Sequence, residues 1–428
     1  MLRPNIIFIF ALFVGYGSLV EIDKTWLENV LKHEDNTHKI EKVVTVTVSN
    51  VVENGTSPGS EEKRIKMDVL LHDGSKVKKS LILKALPSTP ALHKQIDDSG
   101  IFKTEVLVYK NVLSKMEKFL NNLNDKSEPL WVRALDIKEY DQLLLEDAVG
   151  DLGYDTVNRW KGWDKDHAML TMKALAKFHA LAAVVNQEHH YGEHFKQSLL
   201  ERNYDQLKDF FEVVYNNFAT VIEEKWGPEW SEAAQKVRAV APHVKERLKK
   251  IYLERDTILN TLNIGAPNIN NIYFKYGISD LNHSEKPIAV RFSYFQLAFF
   301  NSPVHDVQYV LNTSPELEVM THHRLNLLSE YYTSLIHYLR NFGFKGKEPG
   351  HDEFINEIKR TNFEGITTAI QILPYVFRKP TSPEEAEHYA VENSKSNSTV
   401  LDNSGMYTRE FETIMKVLLK HAIETNVL

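Results

Sequence analysis

Apolar positions alternate with polar ones near the start of the chain and later recur at helical spacing, and this switch divides it in two. From Val43 to Ser49 apolar residues and threonines alternate, and Ile65, Met67, Val69 and Leu71 alternate with charged neighbours, the period of strands with one buried face. Asp73-Gly74 marks a tight turn and Val77 to Leu83 returns as a third strand, so an antiparallel meander ending in Ser80-Leu-Ile-Leu-Lys84 is expected. Phe102, Val106, Tyr109, Leu113, Met116 and Leu120 then fall three and four apart, one continuous helical stripe with Glu105 on its flank. Asp141 to Asp147 reads as an apolar strand running into the acidic pair Glu146-Asp147, with Gly150 and Gly153 just beyond.

From there the pattern is helical. Asp166 or a neighbour caps a helix carrying Met169, Met172, Leu175, Ala176 and His179, the last read as a core histidine. Leu207, Phe211, Val214, Phe218 and Val221 form a stripe that Gly227-Pro228 ends, and Ala233–Val240 and Val244–Tyr252 continue across Pro242. Leu328, Tyr331, Leu335 and Tyr338 repeat the pattern, and a last helix runs from Tyr407 to about Ile423. Lys379–Glu387 and Asn393–Gly405 read as surface connections. The architecture expected is α+β with two lobes: a small antiparallel-sheet lobe over 18–142, a hinge over 143–150 and a large helical lobe over 151–428.

One strand-rich stretch interrupts the helical half, from Leu262 to Leu311. It holds Ile264-Gly-Ala266, then Asn270-Asn271-Ile-Tyr-Phe, a polar loop over Gly277–Lys286, and a strand from Ile288 to Phe295 whose Ile288, Val290, Phe292 face Tyr294 would continue. The nearest carboxylates in sequence, Asp280 and Glu285, sit in the polar loop, where a hairpin carries them away from the strand end. His189-His190 and His322-His323 lack metal-site spacing and read as surface residues.

Composition narrows the classes. A net charge of -7 leaves no basic excess for a phosphate backbone, so nucleic acid is not an expected partner. With no cysteine, disulfides, thiolate nucleophiles and cysteine zinc sites are excluded. Arg3, the apolar run Ile6–Val14 and Gly15-Tyr16-Gly17 fit a signal peptide over 1–17, the run being too short to span a bilayer. A secreted or lumenal chain with no membrane span after cleavage is the expectation, and the sequons at Asn54, Asn282, Asn312 and Asn397 are then glycosylation candidates.

Ser80-Leu-Ile-Leu-Lys84-Ala-Leu-Pro, Phe102-Lys-Thr-Glu105, Leu144-Leu-Glu146-Asp147, Leu175-Ala-Lys-Phe-His179-Ala, Asn270-Asn271-Ile-Tyr-Phe, Tyr294-Phe295-Gln296 and Ser302-Pro303-Val-His-Asp306 keep one order from about residue 40 to 420. Together they resemble the arthropod ecdysteroid kinase-like family, grouped with choline kinase-like and aminoglycoside phosphotransferase-like folds. The resemblance implies that Lys84 is the phosphate-binding lysine, Glu105 its helix partner, Glu146 and Asp147 the nucleotide-side hinge, Asn271 a metal ligand and Asp306 a structural brace of the catalytic loop. It also implies a His-Gly-Asp triplet where Ile264-Gly-Ala266 stands, an aspartate where Tyr294 stands, and a glycine-rich loop of which Gly55 and Gly59 remain.

Ala266 has no proton acceptor, and a phenol with an ordinary pKa of about 10 is a poor ligand for a hard cation. Asn271 is thereby vestigial as a metal ligand. The leading expectation is a pseudokinase binding a small apolar molecule or a protein partner through the inter-lobe cleft, without cofactor. Two rivals stand beside it: an ATP- and Mg²⁺-dependent kinase acting on a hydroxyl of an ecdysteroid-like substrate, and a structural interaction protein with a filled cleft.

Overall fold

The turn at Asp73-Gly74 sets the register of the small lobe: Gly74 takes φ +83°, Asp73 Oδ1 accepts from Ser75 N at 2.9 Å, and the strands on either side pair without interruption. The structure, a computed structural model, describes residues 22–35, 37, 39–51, 60–87, 90–138, 141–205, 207, 209–278, 285–379 and 401–428. The expected signal peptide, Asn54, Gly55, Gly59, Asp280, Asn282 and Asn397 lie outside the described residues, as does most of both polar connections near the C-terminus.

The three expected strands are present and longer than their alternation suggested: β1 (Ile40–Asn50), β2 (Glu61–Leu71) and β3 (Lys76–Ala85). With β4 (Ala134–Lys138) and β5 (Gln142–Glu146) they form an antiparallel sheet in the order β1-β2-β3-β5-β4. Val43, Ile65, Val69, Leu81 and Leu83 pack on the outer face against Leu27 and Leu31 of a helix at Lys24–Glu34. That helix was not expected, although Asp23 caps it through Thr25 N and its two buried leucines stand four apart. The other face of β3 therefore carries Ser80, Ile82 and Lys84 toward the large lobe.

The single stripe expected from Phe102 to Leu120 is not one regular helix. It runs as Ile101–Val108, a five-residue π-turn at Tyr109–Leu113, and Ser114–Asn122. Tyr109, Val112, Leu113 and Met116 are all buried, so the apolar face continues through the π-turn.

The large lobe is built on the Lys165–His189 helix, capped by Asp164, whose Oδ1 accepts from His167 N at 3.1 Å. The helix is long and apolar enough to cross a bilayer, yet 83% of its most apolar window is buried in the fold, chiefly against the Arg324–Asn341 helix. Phe210–Lys225, Ser231–Val240, Val244–Leu253, Asn362–Phe377 and Arg409–Glu424 complete its main helices, with a 3₁₀ turn at Pro242. Short strands lie above them: β6 (Tyr154–Asp155), β7 (Thr261–Asn263), β8 (Ile272–Ile278), β9 (Glu285–Phe292) and β10 (Phe299–Asn301), paired as β6-β8-β9 and β7-β10.

Aromatic rings join the lobes. Tyr109 meets Phe295 edge-on at 5.6 Å, Phe295 stacks on Phe178 at 6.0 Å, and Phe178 meets Trp131 at 6.4 Å. One expected surface residue is corrected: Asn312 is 5% exposed in the Val304–Thr313 helix and donates to Gln308 O at 2.7 Å, so this fold leaves no room for a glycan there.

Gly405 holds the C-terminal helix in place, because a Cβ there would stand 1.8 Å from Pro374 O. Gly405→Ala is expected to lower stability by about 1–3 kcal/mol through overpacking, read as a lower urea midpoint with an unchanged slope. An unchanged midpoint would show that the closing turn yields freely.

Candidate functional site

The inward face of β3 aims Lys84 at the lobe interface, and the helix from Ile101 aims Glu105 to meet it. Lys84 Nζ lies 2.8 Å from Glu105 Oε2 and 3.0 Å from Oε1, with Lys84 only 1% exposed and Glu105 fully buried. Glu105 Oε1 also accepts from Phe295 N at 3.1 Å, so one carboxylate fixes β3, the helix and the segment after β9.

A third acid enters from β2. Glu62 pairs in register with Lys84, and its carboxylate lies 3.5 Å from Lys84 Nζ. The sequence carried this signal: once the Asp73-Gly74 turn pairs Leu70 with Lys76, two-residue counting places Glu62 opposite Lys84 and Arg64 opposite Ile82.

Tyr294 does not continue the β9 face as expected. The strand ends at Phe292, Ile288 is exposed, and Tyr294 adopts φ +60°, ψ +69°, a left-handed conformation that is uncommon for a bulky residue. This reversal lifts the ring out of the sheet and into the cleft. Its hydroxyl donates to Glu62 Oε2 at 2.8 Å, and Lys84 Nζ sits over its ring at 4.1 Å.

The remaining cleft acids are also met from within. Asp147 accepts from Arg64 Nε at 2.6 Å, Ser80 Oγ at 2.6 Å and Gly150 N at 2.8 Å. Glu146 accepts from Arg291 Nη1 at 2.5 Å and Arg133 N at 3.1 Å. Lys84, Glu105, Glu146, Asp147, Glu62 and Tyr294 thus line one cavity of only about 40 Å³. A water needs roughly 10–15 Å³ of such space and a nucleotide-sized ligand about 300 Å³ or more.

Below the cleft, Asp306 organises the loop after β7. It is 1% exposed and accepts from Ile264 N at 2.6 Å and Gly265 N at 2.9 Å, while His179 Nε2 lies 3.1 Å from its Oδ2. A carboxylate only accepts, so His179 Nε2 donates to Asp306, and its Nδ1 lies 2.7 Å from Tyr331 Oη. Gly265 has φ +89°, and a Cβ there would come 2.1 Å from Leu297 O. Ala266 is buried, and its carbonyl accepts from Asn271 Nδ2 at 3.0 Å, turning that amide toward the loop.

These residues do not fit ATP with a divalent cation. Position 266 carries no proton acceptor and position 294 no carboxylate for a metal, Tyr294 occupies space beside the lysine, and among the described residues no group of three His, Asp or Glu is arranged to hold a metal.

An antiparallel-sheet lobe over a helical lobe, with a strand lysine paired to a helix glutamate between them, defines a protein of the small-molecule kinase-like class. The chain belongs to the ecdysteroid kinase-like family, whose model matches residues 57–344. A solved amicoumacin kinase in complex with AMP-PNP and Ca²⁺ is similar at 13% identity over 92% of this chain and 96% of that one, with a TM-score of 0.33. No curated protein matches the sequence.

Removing the brace should disturb the loop more than removing the plug. Asp306→Asn is expected to cost about 3–5 kcal/mol, since it strips charge from a buried hydrogen-bonded pair, whereas Tyr294→Phe, which loses one hydroxyl contact, should cost about 1 kcal/mol. Equal losses in denaturant unfolding would contradict the role given to Asp306.

Proposed function

We propose that the protein is a pseudokinase, a kinase fold that works by binding a partner and transfers no phosphoryl group. The observation that carries this reading is the side chain of Tyr294, held between Glu62 and Lys84 inside a cleft of about 40 Å³. Missing carboxylates at 266 and 294 remove the proton acceptor and the metal ligand, and the tyrosine takes up room that phosphates would need.

The partner is a protein or a small apolar molecule. The charged walls of the inter-lobe cleft suit an apolar ligand poorly. The cavity of about 110 Å³ between Leu199, Phe211, Leu297 and Ile372 in the helical lobe is the more apolar of the two. The N-terminal run Ile6–Val14 supports entry into the secretory pathway. Protein recovered from the medium of secreting cells should begin near residue 18 by N-terminal sequencing; retention inside the cells with an intact Met1 would refute export.

One observation favours the ATP-dependent alternative. The Lys84–Glu105 pair, which an active kinase needs, is formed. Thermal-shift titration of the mature chain with ATP, with and without Mg²⁺, decides between them. The expected result is no Mg²⁺-dependent shift for the wild type and a clear one for the double variant Ala266→Asp, Tyr294→Asp, in which the cleft is opened and the acids restored. A Mg²⁺-dependent shift with γ-phosphate release by the wild type would overturn the pseudokinase reading.

A further inference from the structure

At the far end of the Asn362–Phe377 helix two hydrogen-bond donors point into one cavity without an acceptor. Arg378 is 6% exposed, and its Nη2 has no hydrogen-bond partner; Gln371, two turns earlier on the helix, has a buried Nε2 in the same condition. Both line a cavity of about 60 Å³ walled by Phe210, Val214, Ile370 and Met406. Arg378 has one carboxylate nearby, Asp402, whose Oδ2 lies 3.5 Å from Nη1, the outer limit of a hydrogen bond. Its guanidinium also lies over the Tyr375 ring at 4.5 Å.

A second buried guanidinium adds positive charge. Arg159 is 8% exposed and donates from Nη2 to Arg378 O at 3.1 Å. Burial holds the Arg159 pKa below the ordinary arginine value against the opposing pull of Tyr375, and the charge of Arg378 lowers it further. Burial lowers that of Arg378 too, against the opposing pull of Tyr375 and Asp402. An unpaired buried donor calls for a missing acceptor.

The unmet groups are both donors. We infer that this cavity binds a compact oxyanion, a phosphate, sulfate or carboxylate group, held by Arg378 Nη2 and Gln371 Nε2. Its volume suits an anion of a few heavy atoms, and the apolar walls raise the strength of each charge-assisted bond by excluding water. Among the described residues, no lining residue is shared with the Lys84 cleft.

The test is isothermal titration of the full chain with sodium phosphate, sulfate and acetate, at constant ionic strength against chloride. Saturable one-to-one binding of at least one oxyanion is expected, weakened roughly tenfold or more in Arg378→Met. Binding of phosphate and sulfate without acetate assigns a tetrahedral ligand, and binding of acetate assigns a carboxylate. If Arg378→Met fails to fold, Gln371→Leu should weaken binding and Asp402→Asn, which removes a competing carboxylate, should tighten it. No binding above chloride, or equal binding by wild type and all folded variants, would overturn the inference.

Discussion

The Glu105 carboxylate is the contact on which the arrangement of the two lobes depends. It takes two donors, Lys84 Nζ from the sheet and Phe295 N from the segment after β9, and it is fully buried. Loss of either partner would leave charge stranded in a low-dielectric interior, a cost of about 3–5 kcal/mol, so the three elements are held in one geometry. The position of Phe295 in turn lets its ring stack on Phe178 and meet Tyr109. The aromatic column between the lobes follows from where one backbone N–H is anchored.

The same anchor places Tyr294. With Phe295 N fixed on Glu105 and β9 ending at Phe292, the chain has two residues in which to reverse, and Tyr294 absorbs the change with positive φ. Left-handed backbone at a bulky residue costs on the order of 1–3 kcal/mol, which the hydroxyl bond to Glu62 and the Lys84 contact over the ring can offset. An aspartate there would tolerate the backbone more easily but would bring a further carboxylate beside Glu62 and Glu105.

Much of this was legible in the residues. Alternation from Val43 to Leu83 gave the meander and the direction of Lys84, and the spacing around Glu105 gave its helix. The π-turn at Tyr109–Leu113 was not legible, because apolar residues three and four apart are equally consistent with a regular helix. The helix at Lys24–Glu34 has no long apolar stripe to mark it; its stability comes from the sheet it covers. The direction of the Tyr294 side chain could not be read from periodicity, since a single left-handed residue breaks the period that would predict it. Asn312 matched a sequon in a triplet that says nothing of burial.

Each acid of the cleft and of the loop below it is met by donors from the chain itself. Glu105 and Glu62 share Lys84, Asp147 has Arg64, Glu146 has Arg291, and Asp306 has His179 and two backbone amides. Two more aspartates, at 266 and 294, would add carboxylates to a region in which Glu62 and Glu105 already share one lysine. Alanine and tyrosine at those positions add no further carboxylate to the cleft. The cavity at Arg378 is the converse case: there donors exceed acceptors, and the imbalance points outward to a ligand. The two regions differ less in polarity than in whether the chain supplies both halves of each pair.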